Sequence, residues 1–247
     1  MSEIGDFLYQ TARPLPVILL LDTSGSMSSQ GKIETMKQAV REMLENFKQC
    51  SNTIVSIQVA IITFGGDAKI VQPLTDATGI NPLCMNAVPA NGGTPMGKAI
   101  DLAKSIIEDK SQIPSRAYTP TIVVVTDGWP NDSWEQPLAN FINNGRTAKC
   151  DRMAMGIGSE AQSGPALSVL QRFISRPENL FGANDAAQIS EFFRFVTMST
   201  ITRTRSTNPN AVIDNATIMK SIKMAATVAS AQVQSSEDEE EEDDFPF

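Results

Sequence analysis

The chain has 247 residues, of which 41% are hydrophobic, enough to bury one sizeable core with an extension. It contains no histidine, which excludes Ser-His triads, Cys-His dyads and the usual zinc ligands, so any metal must be bound by oxygen atoms. Residues 237–244 (EDEEEEDD) carry eight acids, and the other 20 acidic residues balance the 20 Lys and Arg. The body therefore offers no electrostatic basis for direct binding of nucleic acid.

Cysteine usage and hydropathy indicate the compartment. Cys50, Cys84 and Cys150 are odd in number and far apart, which fits neither a disulfide framework nor paired metal ligands. We expect reduced thiols in packing positions. No apolar run approaches the roughly 18 to 20 residues of a membrane span, and the N-terminus lacks the pattern of a secretion signal. A cytoplasmic location without membrane association is expected.

The first half of the chain predicts three strands and a helix. Residues 16–22 (PVILLLD) form a continuous apolar run that ends in an acid, which is typical of a parallel strand buried on both faces. Apolar residues at spacings of three and four predict an amphipathic helix over Lys32–Cys50. Residues 54–64 and 69–75 flank a short Gly-Gly-Asp turn and predict an antiparallel pair, in which Pro73 favours an edge position for the second strand.

The second half repeats the alternation of helix and strand. Its predicted elements are a helix of about 15 residues opened by the turn at 92–95, a strand at 121–127, a helix at 134–148, a strand at 151–159, a helix at 166–174, a strand at 179–183 and a closing helix at 185–201. This order predicts an α/β fold with a doubly wound, mostly parallel sheet and one antiparallel edge strand.

Composition shifts divide the chain into four parts. We expect an N-terminal extension at 1–13, the α/β domain at 14–202, a linker with weak helical propensity at 203–234 and a disordered acidic tail at 235–247.

Five oxygen-bearing side chains follow the predicted core strands or open a helix. Asp22, Ser24 and Ser26 alternate just beyond the first strand, Thr94 precedes a helix, and Asp127 ends a later strand. Each has a local explanation as a turn, strand end or helix cap. Because the carboxyl ends of parallel strands meet at one edge of a sheet, their convergence favours a metal site. Mg²⁺, which prefers six oxygen ligands, is the expected ion, with Mn²⁺ as the alternative.

The motifs DTSGS, GGTP and TDG, in this order, resemble the metal-ion-dependent adhesion site (MIDAS) of von Willebrand factor A domains over residues 14–202. The resemblance implies that Ser24, Ser26 and Thr94 offer hydroxyl ligands and that Asp22 and Asp127 bind directly or through water. It also implies that a partner's Asp or Glu carboxylate completes the coordination, so that the metal bridges two proteins. Asp132, beside the third motif, is expected to tune the site from outside the ligand set.

The stretches PVILLLDTSGSM, GGTPMGKAI and VVTDGWPND are similar to the bacterial tellurium-resistance (TerY-like) branch of that family. This likeness implies an interaction module that works beside a kinase and a phosphatase in a bacterial stress or defence system. No catalytic role is expected. A metal-dependent phosphatase of the haloacid-dehalogenase type is disfavoured because Ser24 replaces the second acid of its DxD motif, and the Gly-rich stretches lack the lysine of a P-loop.

The tail supports a second hypothesis. Its end, Asp243-Asp244-Phe245-Pro246-Phe247, resembles the C-terminal tip of bacterial single-stranded-DNA-binding proteins, although Phe245 stands where an aliphatic residue is usual. The likeness implies docking to a DNA-processing protein, with the domain as scaffold. A solubilising or DNA-mimicking tail and a tail acid that caps the domain's own metal site remain the alternatives.

Overall fold

A six-stranded sheet organises the computed structural model, which describes residues 12–51, 54–210, 214, 216–218, 220 and 222. The strands lie in the order β3-β2-β1-β4-β5-β6. All neighbours are parallel except β3, which pairs antiparallel with β2 at one edge. The strands are β1 (Arg13–Asp22), β2 (Val55–Gly65), β3 (Asp67–Asp76), β4 (Thr121–Thr126), β5 (Asp151–Ile157) and β6 (Leu180–Ala183). This confirms the predicted fold class.

Helices cover both faces of the sheet. They are α1 (Lys32–Cys50), α2 (Met96–Glu108), α3 (Glu135–Asn143), α4 (Gly158–Ala161), α5 (Gly164–Phe173) and α6 (Ala186–Arg205). Successive residues of β1 point to opposite faces, so Leu19 and Leu21 pack in the core beneath α1 and α6, whereas Leu20 packs in the core beneath α2, α3 and α5. Burial on both faces explains why the central strands are continuously apolar.

Several boundaries differ from the sequence-based expectation, and three of the differences affect the ends of elements in the second half of the chain. The helix predicted to reach residue 148 ends at Asn143, because Asn144 is extended and Gly145 takes a φ of +72°. The strand predicted to reach residue 159 ends at Ile157, because Gly158 turns the chain with a φ of +79°. The closing helix α6 runs to Arg205, beyond the expected end of the domain at 202, and buries Arg203 and Thr204 in its last turn.

The predicted linker is described only at a few positions after residue 210. Residues 216–218, 220 and 222 are helical, and Ile218 and Ile222 are buried in the core beneath α1 and α6. Most of the N-terminal extension and the whole acidic tail, including Asp243 to Phe247, lie outside the described residues. No helix within the described part of the chain is long and apolar enough to cross a membrane.

The cysteines occupy packing positions. Cys150 is buried and Cys50 and Cys84 are half-buried, and all three are free thiols. Burial raises the pKa of the Cys150 thiol to about 12, so this side chain stays protonated near neutral pH.

Backbone hydrogen bonds tie three loops together at the carboxyl edge of the sheet. Asn91 N donates to Thr23 O at 2.8 Å, and Gly25 N donates to Gly92 O at 3.0 Å, so the loop before α2 lies against the loop after β1. Gly65, at the end of β2, also lies against this loop, because a Cβ built on it would stand 2.2 Å from the Thr23 carbonyl oxygen. A glycine is therefore required where β2 passes the first loop.

We predict that Gly65→Ala lowers the free energy of unfolding by about 2–4 kcal/mol, because the new methyl group displaces the backbone of Thr23. Gly128→Ala is the matched control in a neighbouring loop, since a Cβ there meets nothing within 4 Å. The control is expected to change the free energy of unfolding by less than about 0.5 kcal/mol. Urea unfolding followed by circular dichroism measures both variants, and equal effects would contradict the close approach.

Candidate metal centre

Asp22 is the most deeply buried of the five candidate ligands. It ends β1 in the middle of the sheet and is fully buried. Ser24 N donates to Asp22 Oδ1 at 2.7 Å, and Thr126 Oγ1, from the end of β4, donates to Asp22 Oδ2 at 2.5 Å. Both carboxylate oxygens are therefore held by the protein, one from the loop that follows β1 and one from the neighbouring strand.

The two serines connect Asp22's loop to the loop that follows β4. Ser24 Oγ and Ser26 Oγ are 3.0 Å apart, and Ser26 Oγ donates to Asp127 Oδ1 at 2.6 Å. Ligands at about 2.1 Å from an octahedral Mg²⁺ lie about 3.0 Å apart along each edge of the octahedron. The spacing of the two serine oxygens matches that edge. Ser26 is exposed, so the network reaches the surface.

Thr94 belongs to the same edge of the sheet. It is buried, its N–H donates to Asn131 Oδ1 at 2.9 Å, and its carbonyl accepts from Asn131 N at 3.1 Å. These reciprocal bonds fix Thr94 to the loop that carries Asp127. The structure thus connects Asp22, Ser24, Ser26 and Asp127 by hydrogen bonds and brings Thr94 to the adjoining loop. The roles of all five as metal ligands stay predictions.

Asp132 holds the start of α2. Its carboxylate accepts from Gly97 N at 3.1 Å and from Lys98 N at 3.0 Å, two amides of the first helical turn. A carboxylate is favourable there because the amides at a helix N-terminus lack partners and carry partial positive charge. Asp132 therefore fixes the helix that follows Thr94, and its effect on metal binding stays a prediction.

Three residues of the site were not predicted from the sequence. Thr126 and Asn131 hold Asp22 and Thr94 as described above, and Lys32 Nζ donates to Asp127 Oδ2 at 2.8 Å. The position of Thr126, next to Asp127, was a usable signal. Lys32 begins an amphipathic helix, where a lysine normally faces solvent, so only the tertiary structure places it here.

The site has more negative than positive charge. Burial raises the pKa of Asp22 to about 6, against the hydrogen bonds from Ser24 and Thr126 that lower it, and the nearby charge of Asp127 raises it further.

Within the described residues, no three His, Cys, Asp or Glu side chains cluster so as to hold a metal. The candidate donors are instead two carboxylates and hydroxyls, a set that would suit a hard cation such as Mg²⁺.

Trp129 lies at the rim, two residues after Asp127. This residue is 42% exposed, and its ring packs edge to face on Trp134, with ring centroids 5.5 Å apart. Trp134 is itself buried. The packing on Trp134 restrains the Trp129 ring, which therefore offers an apolar surface close to the oxygens of the candidate site.

Comparisons with known proteins agree with this architecture. Residues 17–129 match the family model of the von Willebrand factor type A domain. No curated protein sequence matches the chain.

Several solved structures share the fold. A von Willebrand factor type A protein from Catenulispora acidiphila is 21% identical, with a TM-score of 0.59 over 76% of this chain and 42% of that one. Proximal thread matrix protein 1 from the mussel byssus, in a structure with a zinc-occupied MIDAS motif, is 18% identical, with a TM-score of 0.60 over 76% of this chain and 48% of that one.

The vWF domain of the type V pili tip protein Mfa5 from Porphyromonas gingivalis is 13% identical, with a TM-score of 0.61 over 83% of this chain and 99% of that one. This chain thus spans less than half of the first two structures and nearly all of the third. At these identities the structural likeness shows the fold, and the family model matches the segment that contains all three motif loops up to Trp129. Residues 17–129 therefore match a von Willebrand factor type A domain, and the described sheet and helices have the fold of such domains.

Proposed function

We propose that this protein is a metal-dependent protein-interaction module, in which Mg²⁺ at the candidate site bridges to an Asp or Glu carboxylate of a partner protein. The observation that carries the proposal is the network of Asp22, Ser24, Ser26 and Asp127, whose oxygens converge at the carboxyl edge of the sheet. Ligand sites of open α/β sheets lie at this edge. The proposal includes no catalytic step.

The donor chemistry supports the choice of metal. Ser24, Ser26 and Thr94 would hold the ion through hydroxyl groups, and Asp22 and Asp127 directly or through water. The zinc-occupied MIDAS motif of the mussel protein supports metal binding on this fold. This chain has no histidine, so its oxygen set favours Mg²⁺, with Mn²⁺ as the alternative.

The rim of the site supports a protein as the partner. Trp129 presents an exposed aromatic ring beside the site, and aromatic side chains are enriched at protein interfaces. The likeness of the three motif stretches to the tellurium-resistance branch supports a cytoplasmic role in a bacterial stress or defence system, beside a kinase or phosphatase.

We predict that the wild type binds Mg²⁺ and Mn²⁺ and that Asp22→Asn weakens this binding by about tenfold or more, because a neutral amide replaces a charged oxygen donor. Titration calorimetry measures both proteins. Asp101→Asn is the control, since Asp101 is an exposed acid on α2 whose loss changes the net charge equally. An absence of binding by the wild type at millimolar metal would contradict the proposed coordination.

The acidic tail is the second candidate interaction element. Its Phe245-Pro246-Phe247 ending favours docking to a DNA-processing protein, with the domain as scaffold.

We predict that capture of the native partner requires the metal site and not the tail, because the metal supplies the charge that binds the partner's carboxylate. A pull-down from the native host, with and without chelator, compares Asp22→Asn with a chain truncated after Gln234. The domain is the interaction element if chelator and Asp22→Asn abolish capture while truncation leaves it intact. The reverse result would assign the interaction to the tail.

A further inference from the structure

Lys32 supplies a fixed positive charge at the candidate metal site. Its Nζ lies 2.8 Å from Asp127 Oδ2, and the side chains are 17% and 1% exposed, respectively. Among the residues that the structure describes, no other cation forms an ion pair with Asp127 or Asp22. The pair is mostly withdrawn from water, so its charge is weakly screened.

The backbone before α1 is shaped to place this lysine. Gln30 and Gly31 adopt consecutive left-handed conformations, with φ of 56° and 69°, and Gln30 is the one described non-glycine residue with a positive φ. The N–H of Lys32 then donates to the carbonyl oxygens of Met27 and Ser29. A left-handed conformation costs conformational energy in any residue with a Cβ. The turn that places Lys32 therefore has an energetic cost at Gln30, which other interactions in the fold must offset.

The lysine also borders open space. Lys32 is among the residues that line a pocket of about 310 Å³, together with Gln30, Ile157, Gly158 and Asp185. Its side chain is 17% exposed, so the lysine that pairs with the buried carboxylate of Asp127 is not fully closed off from solvent. A lysine ammonium has three N–H donors, so donors beyond the one on Asp127 remain for a bound group.

The charges of Asp22, Asp127 and Lys32 determine how a bound divalent cation would change the net charge of the site. Asp22 and Asp127, when ionised, carry two negative charges, and a divalent cation alone would neutralise them. Counting the two candidate acidic ligands and Lys32 alone, the metal-loaded group would keep one net positive charge, which a single carboxylate of a partner would neutralise. The surplus charge would draw an anionic group to the metal, and the ammonium would also repel the incoming cation.

We propose that Lys32 is a positioning residue whose charge makes the metal-loaded site selective for an anionic partner group, at the expense of metal affinity. This inference rests on the proposed function. It predicts that removal of the charge changes the two affinities in opposite directions, which the loss of a merely structural contact would not do.

The test uses the full chain and two probes. Calorimetry with Mn²⁺ alone measures metal affinity. On the Mn²⁺-loaded protein, NMR line broadening measures binding of acetyl-Gly-Glu-Gly-amide against its Gln counterpart. In Lys32→Met, Mn²⁺ is expected to bind about 3- to 10-fold more tightly and the Glu peptide about 10- to 100-fold more weakly. Lys32→Arg retains the charge and is expected to keep both affinities within about threefold of the wild type.

Lys98→Met is the matched control, because Lys98 is an exposed lysine on α2 that pairs with Asp67, the first residue of β3. It should leave both affinities unchanged. Lys32→Gln serves as a second neutral variant where Lys32→Met does not fold, as judged by circular dichroism. The inference is overturned if a folded neutral variant keeps the wild-type affinity for the peptide, or if its two affinities fall together. A wild type that binds no Mn²⁺ overturns the proposed function first, whereas unaltered binding by the neutral variants overturns this inference alone.

Discussion

Asp22 and Asp127 bring two carboxylates to one buried edge of a parallel sheet, and the surrounding loops are arranged to satisfy them. Asp22 ends β1, Asp127 follows β4, and these strands are hydrogen-bonded neighbours at the centre of the sheet. Withdrawing a carboxylate from water is costly unless donors or cations replace the lost hydration. The amide of Ser24, the hydroxyls of Ser26 and Thr126, and the ammonium of Lys32 provide that replacement.

The compensation is incomplete, and this links the fold to its proposed role. The raised pKa of Asp22 reflects a carboxylate whose donors do not fully offset its burial. Replacing buried charged groups by apolar residues of similar volume is often neutral or stabilising, so the stability of the sheet does not by itself require an acid here. Two acids against one paired lysine leave an excess of acidic groups at this edge, which is consistent with a site that is completed by a cation and then by an anionic group of a partner.

The frame of the site consists mainly of backbone contacts. The loop that ends at Thr94 is held on one side by Thr23 and Gly25, and on the other by the side chain of Asn131. Gly92 lies in this loop with a φ of +67°, a conformation that glycine adopts readily. A Cβ at this position would stand 2.4 Å from the Cα of Gly66, so the two loops could not approach so closely with a larger residue. Rigid loops of this kind are suited to present oxygens at fixed spacing, which a small ion such as Mg²⁺ requires.

The solved structures with the same fold show that the sheet and its covering helices can form from very different sequences. Proteins with only 13% to 21% identity share the sheet and its covering helices. Apolar runs on central strands and amphipathic periodicity on the helices are enough to maintain the layers, so most other positions are free to vary. Differences in function are then expected at the loops of the carboxyl edge and at their rim, where Lys32 and Trp129 lie.

Local patterns in the sequence determined which segments form strands and helices. They also showed at which strand ends the polar residues occur. The apolar runs that end in Asp22 and just before Asp127 predicted buried parallel strands, and the spacing of apolar residues predicted α1 with both of its boundaries. These features depend on nearest neighbours along the chain. The end of α3 was missed because Asn144 and Gly145 leave the helical conformation in a stretch whose residues also fit a longer helix.

Only the tertiary structure decided which side chains meet at the site. Lys32 lies 95 residues from Asp127, and Thr126 lies 104 residues from Asp22. Their contacts follow from the pairing of β1 with β4 and from the left-handed turn at Gln30 and Gly31, which no local periodicity encodes. The sequence alone therefore predicted which oxygen-bearing side chains follow the core strands at the carboxyl edge of the sheet. The three-dimensional fold added Lys32, whose ion pair with Asp127 depends on the distance between segments remote in the chain and is the basis of the proposed charge balance.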